Sequence, residues 1–285
     1  MNQSVSRSYP PHCEHLCSRP RPQALRLLSY NIQAGIHTRH YRDYLTKSWQ
    51  HLLPHPERQT NLSRIAELLQ HYDLVGLQEI DGGSRRSDYI DQIAYLAEAA
   101  HFPYFFRQVT RDLGRWAQHG NGVLSRLPFS RIHALNLPGL PGRGAVIAEL
   151  ATSDGGVLAI CSVHLALGWR ARGRQMRYIA RMVQRYPYWV VMGDFNCGCR
   201  NRCLRHWARE SSLQGLDCER KTFPSWQPRR GLDHILVSPR LRLLEAEVLD
   251  YALSDHLPVG TTVALPSGVW LIFGAFPSGV VVGHH

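Results

Sequence analysis

Apolar segments that end in a polar side chain recur along this 285-residue chain. The segment from Tyr188 to Met192 is rich in aromatic and β-branched residues, as a buried strand is, yet Gly193, Asp194 and Asn196 follow it closely. Asn31, Glu79 and His164 follow other apolar segments in the same way, whereas Asp233 begins its segment and Asp255 and His256 precede the last one. Polar groups at the end of a buried strand are costly unless they are hydrogen-bonded or used. We therefore predict that these side chains meet at one rim of the fold, where α/β proteins commonly bind ligands.

Strand-like and helix-like segments alternate between residues 24 and 265 with no low-complexity linker, which favours a single α/β body. The predicted strands are 25–31, 72–80, 121–126, 144–150, 157–165, 188–193, 232–238 and 259–265, and the predicted helices are 61–70, 90–97 and 174–185.

Both ends of the chain differ in composition from this body. Residues 1–23 are rich in Pro, Arg, Ser and His and are predicted to be a disordered lead-in. Residues 266–285 form an apolar extension that Gly and Pro interrupt, so its apolar runs fall short of the ~18 residues of a membrane span. We predict no transmembrane segment. The extension either packs on the body, touches a membrane surface or has no role.

The net charge of +11 favours polyanionic partners such as nucleic acid, anionic lipid surfaces or phosphorylated small molecules. Nearly all of the basic residues are arginines, with Lys47 and Lys221 as the two lysines. A bias of this kind can follow from coding composition. Charge alone therefore leaves the class of partner open.

The seven cysteines form no regular framework, and an odd number argues against a secreted domain held together by disulfides. We predict a reducing, cytoplasmic setting. Two clusters, Cys197 with Cys199 and Cys203, and the histidines and cysteines within 12–17, suggest zinc but lack paired CxxC spacing. We interpret them as incidental thiols in loops.

Carboxylate and amide oxygens are the ligands that Mg²⁺ and Mn²⁺ prefer, and Glu79, Asp255 and Asn31 fit that role. Zinc is the alternative that His164 and His256 raise, but no HxxxH or HxH spacing links them. Hydrolysis of a phosphate ester needs a metal, a base or orienting group for the attacking water, and a donor to the developing oxyanion. The polar residues at the strand ends supply one candidate for each.

Six short motifs stand in the order that is typical of the endonuclease/exonuclease/phosphatase superfamily, and the chain resembles its members over roughly residues 25 to 265. The motifs are SYNIQ, LQEID, SVHL, GDFN, LDHILVS and SDHLPV. The resemblance implies an α+β fold, a four-layer α/β/β/α sandwich of two packed mixed β-sheets flanked by helices, with the site at one edge. It also implies a metal-dependent phosphohydrolase that uses Mg²⁺, or Mn²⁺ in its place, and a domain spanning 24–265.

The same resemblance implies a role for each polar residue. Glu79 becomes the main metal ligand, with Asn31 and Asp255 completing or bracing the metal site. Asp194 orients and deprotonates the attacking water, and Asn196 assists it and reaches the phosphoryl group. His256, oriented by Asp233, contacts a phosphoryl oxygen or the leaving group, and His164 is a further donor to the phosphate.

The substrate stays open at the level of sequence. Loops that contain Arg143, Trp226 and Arg229 are similar to loops in a bacterial branch of the superfamily without an assigned substrate, and these side chains are candidates for contacting phosphates or stacking on a ring. The hypotheses are a nuclease acting on DNA or RNA, a phosphodiesterase or phosphatase acting on phospholipid head groups or small phosphoesters, and a non-catalytic phosphate-binding module. We expect a monomer.

Overall fold

The computed structural model describes residues 24–36, 56–112, 114, 116, 118–139 and 141–272. Eleven strands and four α-helices are present in this part of the chain. The strands are β1 (Ala24–Asn31), β2 (Leu74–Asp81), β3 (Tyr104–Asp112), β4 (Gln118–Ser125), β5 (Arg131–Asn136), β6 (Gly144–Ala151), β7 (Val157–His164), β8 (Tyr188–Asp194), β9 (Asp233–Val237), β10 (Arg242–Val248) and β11 (Val259–Ala264). The helices are α1 (Pro56–Leu69), α2 (Gln92–Ala99), α3 (Trp169–Val183) and α4 (Arg202–Glu210).

The strands form two mixed sheets. The first has six strands in the order β10-β11-β1-β2-β4-β3, and the second has five in the order β5-β6-β7-β8-β9. One parallel pair lies inside each sheet, β1 with β2 and β7 with β8, while the remaining neighbours are antiparallel. In each sheet the two parallel strands therefore end at the same edge, and the polar residues lie at that edge.

Both faces of the central strands are buried, and the side chains alternate between separate cores with the two-residue period of a strand. Leu27 and Leu74 point into the core between the sheets, whereas the adjacent Leu28 and Val75 pack under α1 and α2. In the second sheet Val190 faces the central core, while its neighbours pack under α3 and α4. Three cores separate four layers, which confirms the predicted α/β/β/α sandwich.

Every predicted strand and helix is present, but the sequence missed four elements. Strands β3, β5 and β10 lie at the sheet edges and carry many exposed or half-buried residues, so they lack a continuous apolar run. Helix α4 buries Leu204 and Trp207 within nine residues and is otherwise polar. Its start is fixed by the Asn201 side chain, which accepts hydrogen bonds from the backbone of Cys203 and Leu204.

The interpretation of Cys199 as an incidental thiol is wrong, because it forms a disulfide with Cys218, 19 residues away, with the two Cα atoms 5.2 Å apart. The spacing of the cysteines along the sequence does not reveal this pair, because it is the fold that brings the loop after β8 against the segment that precedes β9. Disulfides are more typical of oxidising compartments, so the pair weighs against the reducing setting. Cys161, Cys197 and Cys203 are free thiols. The proposed cluster within residues 12–17 lies outside the described residues.

The described start of the C-terminal extension packs on the body. Leu271 is buried in the core between the sheets, and the backbone of Trp270 and Ile272 is hydrogen-bonded to Ser153 and Ala151. Residues 273–285 and the predicted lead-in lie outside the described residues. Of the helices that the structure describes, none is long and apolar enough to span a bilayer.

Candidate active site

The strand register brings the polar residues of both sheets to one edge. Asn31 at the end of β1 pairs with Gln78, which places Glu79 beside it, and His164 at the end of β7 pairs with Asp194. Asp233, the first residue of β9, lies opposite Asp194 in the antiparallel pair β8–β9. The sheets pack face to face, so these ends meet across the central core as the sequence predicted.

Glu79 leaves the regular ladder at a β-bulge. The pairing of β2 with β4 shifts register between Gln78 and Ile80, and Glu79 has a φ of 57°, in the left-handed region. Such a conformation costs about 1–3 kcal/mol for a residue other than glycine and is often found at functional sites. Its carboxylate accepts a hydrogen bond from Asn31 Nδ2 at 3.3 Å and lies 3.8 Å from His164 Nε2. The bulge thus turns Glu79 toward the site.

Asp194 is the centre of the cluster. Its Oδ2 is 3.3 Å from Asn31 Nδ2, 3.5 Å from His164 Nε2 and 3.9 Å from His256 Nε2, and its Oδ1 accepts from the Asn196 backbone at 2.8 Å. Its side chain is only 2 % exposed. Three groups that were assigned to different roles therefore converge on one carboxylate oxygen.

Two unusual backbone positions shape the chain around Asp194. Gly193 has a φ of 147°, and a Cβ there would lie 1.9 Å from the Val163 carbonyl oxygen, so only glycine fits. Asn196 has a φ of 52°, a conformation that Asn tolerates better than most residues. Its side-chain amide donates to the Leu165 carbonyl at 2.8 Å and so ties the loop after β8 to the loop after β7. The sequence did not predict this bracing contact.

His256 is held by Asp233, as the resemblance implied. Nδ1 of the ring is 2.8 Å from Asp233 Oδ2, which leaves Nε2 directed at Asp194. The same Asp233 oxygen accepts a 2.5 Å hydrogen bond from the Thr222 hydroxyl, and Thr222 Oγ1 in turn accepts from the Leu232 backbone. Sequence reasoning missed Thr222, although its position in the TFPSW loop, ten residues before the LDHILVS motif, marked a segment of interest.

Asp255 and Asn31 are joined through Ser254. The buried Ser254 hydroxyl lies 2.6 Å from the Asn31 carbonyl oxygen and 3.1 Å from Asp255 Oδ1. The Asp255 carbonyl oxygen accepts from the Ser225 backbone at 2.8 Å. The loop before β11 is thereby fixed to the end of β1. Ser254, within the SDHLPV motif, was not singled out from the sequence.

Arg143 reaches the site, whereas Arg229 does not contact it in the described structure. The Arg143 guanidinium, from the loop before β6, makes a hydrogen bond with His164 Nε2. Because arginine can only donate, Nε2 is the acceptor and the ring proton is assigned to Nδ1. Arg229 is exposed and donates to Gln227 Oε1 at 2.8 Å. Trp226 is half-buried in the same loop.

Burial and the dense packing of charge shift the pKa values of the cluster. Desolvation, followed by the Asp255 carboxylate, raises the pKa of Glu79, and desolvation raises that of Asp194 to about 7 even though His256 opposes it. Burial by itself would lower the pKa of His256, but Asp233 and Asp194 raise it well above 6.5. Burial and then Arg143 lower the pKa of His164. The site thus pairs a protonated His256 with a neutral His164.

Two neighbouring groups of side chains could hold a divalent cation. Glu79 and Asp255 form the set that the sequence assigned with Asn31, while Asp194, Asp233 and His256 offer ligand atoms all within 4.8 Å of one another. Asp233 Oδ1 is buried and has no hydrogen-bond partner in the described part of the chain. Burial is the main cause of the raised pKa values of Glu79 and Asp194, and their carboxylates, with Asp233 Oδ1, supply the oxygen ligands that hard cations prefer.

The orientation of Asn31 differs from that expected of a ligand. Its Oδ1 accepts from the Gln33 backbone at 3.2 Å, so Nδ2 is the atom turned toward Glu79 and Asp194. In this orientation Asn31 bridges the two carboxylates. Asn31 would present Oδ1 to a cation only if its side-chain amide were flipped, which exchanges the positions of Oδ1 and Nδ2.

Comparison with known proteins identifies the family of the chain. The family model described as the endonuclease/exonuclease/phosphatase family matches residues 28–256. The chain belongs to this family. Members of the family are phosphoester hydrolases, so the chain is assigned to that class of enzyme. A sequence comparison with curated proteins finds no match.

Solved structures of other members share the fold. An endonuclease/exonuclease/phosphatase from Beutenbergia cavernae has 20 % identity and a TM-score of 0.67, over 86 % of this chain and 72 % of that one. A mannosyl-6-phosphatase from Bacteroides thetaiotaomicron has 16 % identity and a TM-score of 0.64, over 85 % and 100 %. ANGEL2, described as a 2',3'-cyclic phosphatase, has 14 % identity and a TM-score of 0.64, over 85 % and 95 %. At these identities the likeness concerns the fold alone.

Proposed function

We propose that this protein is a divalent-metal-dependent hydrolase that cleaves a phosphodiester by attack of an activated water molecule, with nucleic acid as the leading candidate substrate. The observation that carries the proposal is the convergence of Asn31, His164 and His256 on the buried Asp194 Oδ2, at 3.3, 3.5 and 3.9 Å. A carboxylate in that position can accept a proton from a water molecule bound at the rim, and Asn31 Nδ2 and the protonated His256 beside it are donors suited to phosphoryl oxygens.

Each residue has a role in this proposal. Asp194 accepts the proton of the attacking water, and the Asn196 backbone N–H fixes its other oxygen. His256, held through Nδ1 by Asp233, donates from Nε2 to a phosphoryl oxygen or to the departing oxygen. Mg²⁺, or Mn²⁺ in its place, held by Glu79 and Asp255 with Asn31 beside them, would supply neutralisation of phosphoryl charge.

Arg143 adds a second positive group next to His164. Its hydrogen bond with His164 sets the orientation of that ring and brings a guanidinium to the rim, where it is half-buried. Arginine binds phosphate through a planar pair of donors, so we assign Arg143 to substrate binding together with His164. Trp226 and Arg229 remain candidates for contacts farther from the reacting phosphorus.

A second candidate substrate, a phospholipid head group, is favoured by one observation. The loop that follows β7 exposes Leu167 by 73 %, and the start of α3 exposes Trp169 by 70 %, three and five residues after His164. Exposed apolar and aromatic side chains of this kind are typical of proteins that contact the membrane interface.

Hydrolysis of a small model substrate tests the proposed chemistry, although it does not identify the natural substrate. Bis(4-nitrophenyl) phosphate is offered with Mg²⁺ to the wild type and to Asp194→Asn and His256→Gln. The matched controls are Asp250→Asn and His206→Gln, which change exposed residues of the same type. We expect each site variant to lose at least about a hundredfold in kcat, and each control to stay within twofold of wild type. Site variants that match their controls would refute the proposal.

A further inference from the structure

Helix α3 carries a stripe of arginines on its exposed side. Arg170, Arg174, Arg177 and Arg181 are all exposed and are spaced four, three and four residues apart. At 100° per residue they fall within an arc of about 60°, over a length of about 17 Å. The opposite side of the helix, with Met176, Ile179 and Val183, is buried in the core under the second sheet.

Helix α4 carries a second stripe beside the first. Arg202, Arg205 and Arg209 are exposed and spaced three and four residues apart. The helix ends are joined by a hydrogen bond from Gln184 Nε2 to Ser211 Oγ at 3.0 Å. We call the seven exposed arginines of these two helices the arginine face.

Composition alone does not explain this face. Helices α3 and α4 contain one acidic residue, Glu210, which lies 3.9 Å from His206. Helices α1 and α2, on the other side of the molecule, have a mixed surface, where Arg64 is exposed together with the acidic Glu67 and Glu98. Within the described residues none of the seven arginines forms an ion pair with an acidic side chain. Like charges at helical spacing repel one another, so a face of this kind is a site for an anionic partner.

The arginine face begins at the active site. Helix α3 starts five residues after His164, and α4 starts eight residues after Asp194, because each follows one strand of the parallel pair β7–β8. Both stripes therefore run outward from the edge that holds the catalytic cluster. An extended anion lying along them would have one end at the sheet edge that holds Asp194.

We propose that the arginine face binds the phosphate backbone of nucleic acid and leads a strand to the active site. A helix that inserts into a membrane surface pairs its basic residues with an exposed apolar side. Here the apolar sides of both helices are buried in the core, and within the described residues the one large hydrophobic side chain that the two helices expose is Trp169, at the start of α3 under the Arg170 guanidinium. A surface with a positive charge at nearly every helical turn is complementary to a regular polyanion, and an exposed ring at its end can stack on a base. Delivery of substrate rests on the proposed phosphodiester hydrolysis, whereas binding does not.

The test compares two triple variants that lose the same charge. Arg174, Arg177 and Arg181 are changed to Gln in one, and the exposed Arg131, Arg240 and Arg242 of the strand edges and turns in the other. Both are made with Asp194→Asn to block turnover, and circular dichroism and thermal melting check their folding. Binding of fluorescein-labelled single-stranded and duplex DNA is followed by anisotropy between 50 and 200 mM salt.

We expect the α3 variant to lose at least about tenfold in affinity, and the slope of log K against log salt to fall by about 2 to 3, since each lost phosphate contact accounts for about 0.7 to 0.9. The control variant should stay within about threefold. Equal affinities of the two variants would overturn the proposal. So would a loss confined to phosphatidylglycerol vesicles, measured by sedimentation, because it would assign the face to a membrane.

The same substitutions in the active enzyme separate this proposal from the proposed function. The α3 variant should cleave bis(4-nitrophenyl) phosphate at the wild-type rate, because that substrate is too small to reach the arginine face, but should lose cleavage of DNA or RNA. A wild-type enzyme that binds DNA through this face and hydrolyses no phosphoester would refute the proposed function and leave the binding surface standing. Equal loss of both substrates would refute a role of the face in delivery.

Discussion

Thr222 is the residue whose removal tests how His256 is positioned. Its hydroxyl donates to Asp233 Oδ2 at 2.5 Å and accepts from the backbone N–H of Leu232 at 3.1 Å, and its side chain is fully buried. Thr222→Val keeps the shape of the side chain and removes these two interactions together with a third, the 3.3 Å hydrogen bond that the hydroxyl accepts from the Asp233 backbone N–H. A hydrogen bond to a charged group contributes about 1.5–3 kcal/mol, and an N–H left buried without a partner costs about 1–3 kcal/mol. We expect the free energy of unfolding to fall by about 2–4 kcal/mol.

The catalytic effect of Thr222→Val should exceed its effect on substrate binding. Asp233 Oδ2 would then be held by His256, while no described residue is hydrogen-bonded to its Oδ1, so the carboxylate and the imidazole would lose their fixed orientation. Loss of an outer partner of a site residue typically costs about 10–100-fold. We therefore expect kcat to fall by that factor with little change in KM.

Thr222→Ser is the matched control, because it retains the hydroxyl and loses only a methyl group. Urea unfolding and steady-state turnover of bis(4-nitrophenyl) phosphate are measured on both variants. The reasoning is refuted if Thr222→Val matches Thr222→Ser in both stability and kcat.

Three further predictions concern the framework. Gly193→Ala should destabilise the protein by about 3 kcal/mol or more in urea unfolding, since its Cβ would meet the Val163 carbonyl at 1.9 Å; a loss below about 1 kcal/mol would contradict this. Reduction of Cys199–Cys218, or the double change to Ser, should cost about 3 kcal/mol for a loop of this length, and an unchanged melting temperature would argue against the disulfide. The Thr152 and Tyr188 hydroxyls lower the pKa of Asp154 below 3.8, so this carboxylate adds stability that is present above that pH and lost as the pH falls through the lowered value. Asp154→Asn should flatten the decline in stability below pH 4, whereas Asp250→Asn should not.

The convergence of the polar residues at one edge could be predicted from the sequence, because these residues follow the apolar segments that form the parallel strands. Asn31, His164 and Asp194 each end a parallel strand and Glu79 lies two residues from the end of another, and parallel neighbours must end at the same edge. Their meeting therefore followed from the pattern. The four-layer arrangement did not, since periodicity shows that a strand is buried on both faces and not what covers it. That part came from the family resemblance.

The remaining contacts depend on loops, which carry no periodic signal. The hydrogen bond of Arg143 to His164, the support of Asp233 by Thr222 and the bond of Cys199 to Cys218 each join segments whose approach is set by the packed sheets. The bulge at Glu79 is similarly invisible in the sequence, because the shift arises in its pairing with β4. The catalytic and metal-binding roles of the site residues stay predictions until they are tested by substitution.

The measurement that tests the account most directly is the dependence of phosphodiester hydrolysis on added Mg²⁺. Protein is stripped with chelator, and the rate on bis(4-nitrophenyl) phosphate is followed as Mg²⁺ is returned to the wild type and to Glu79→Gln, with the exposed Glu98→Gln as the control. We predict no turnover without metal, saturable recovery in the wild type and the control, and recovery in Glu79→Gln only at much higher Mg²⁺ or not at all. Full activity in the presence of chelator, or an identical Mg²⁺ requirement in Glu79→Gln, would contradict the assignment of this strand edge as a metal-dependent hydrolytic site.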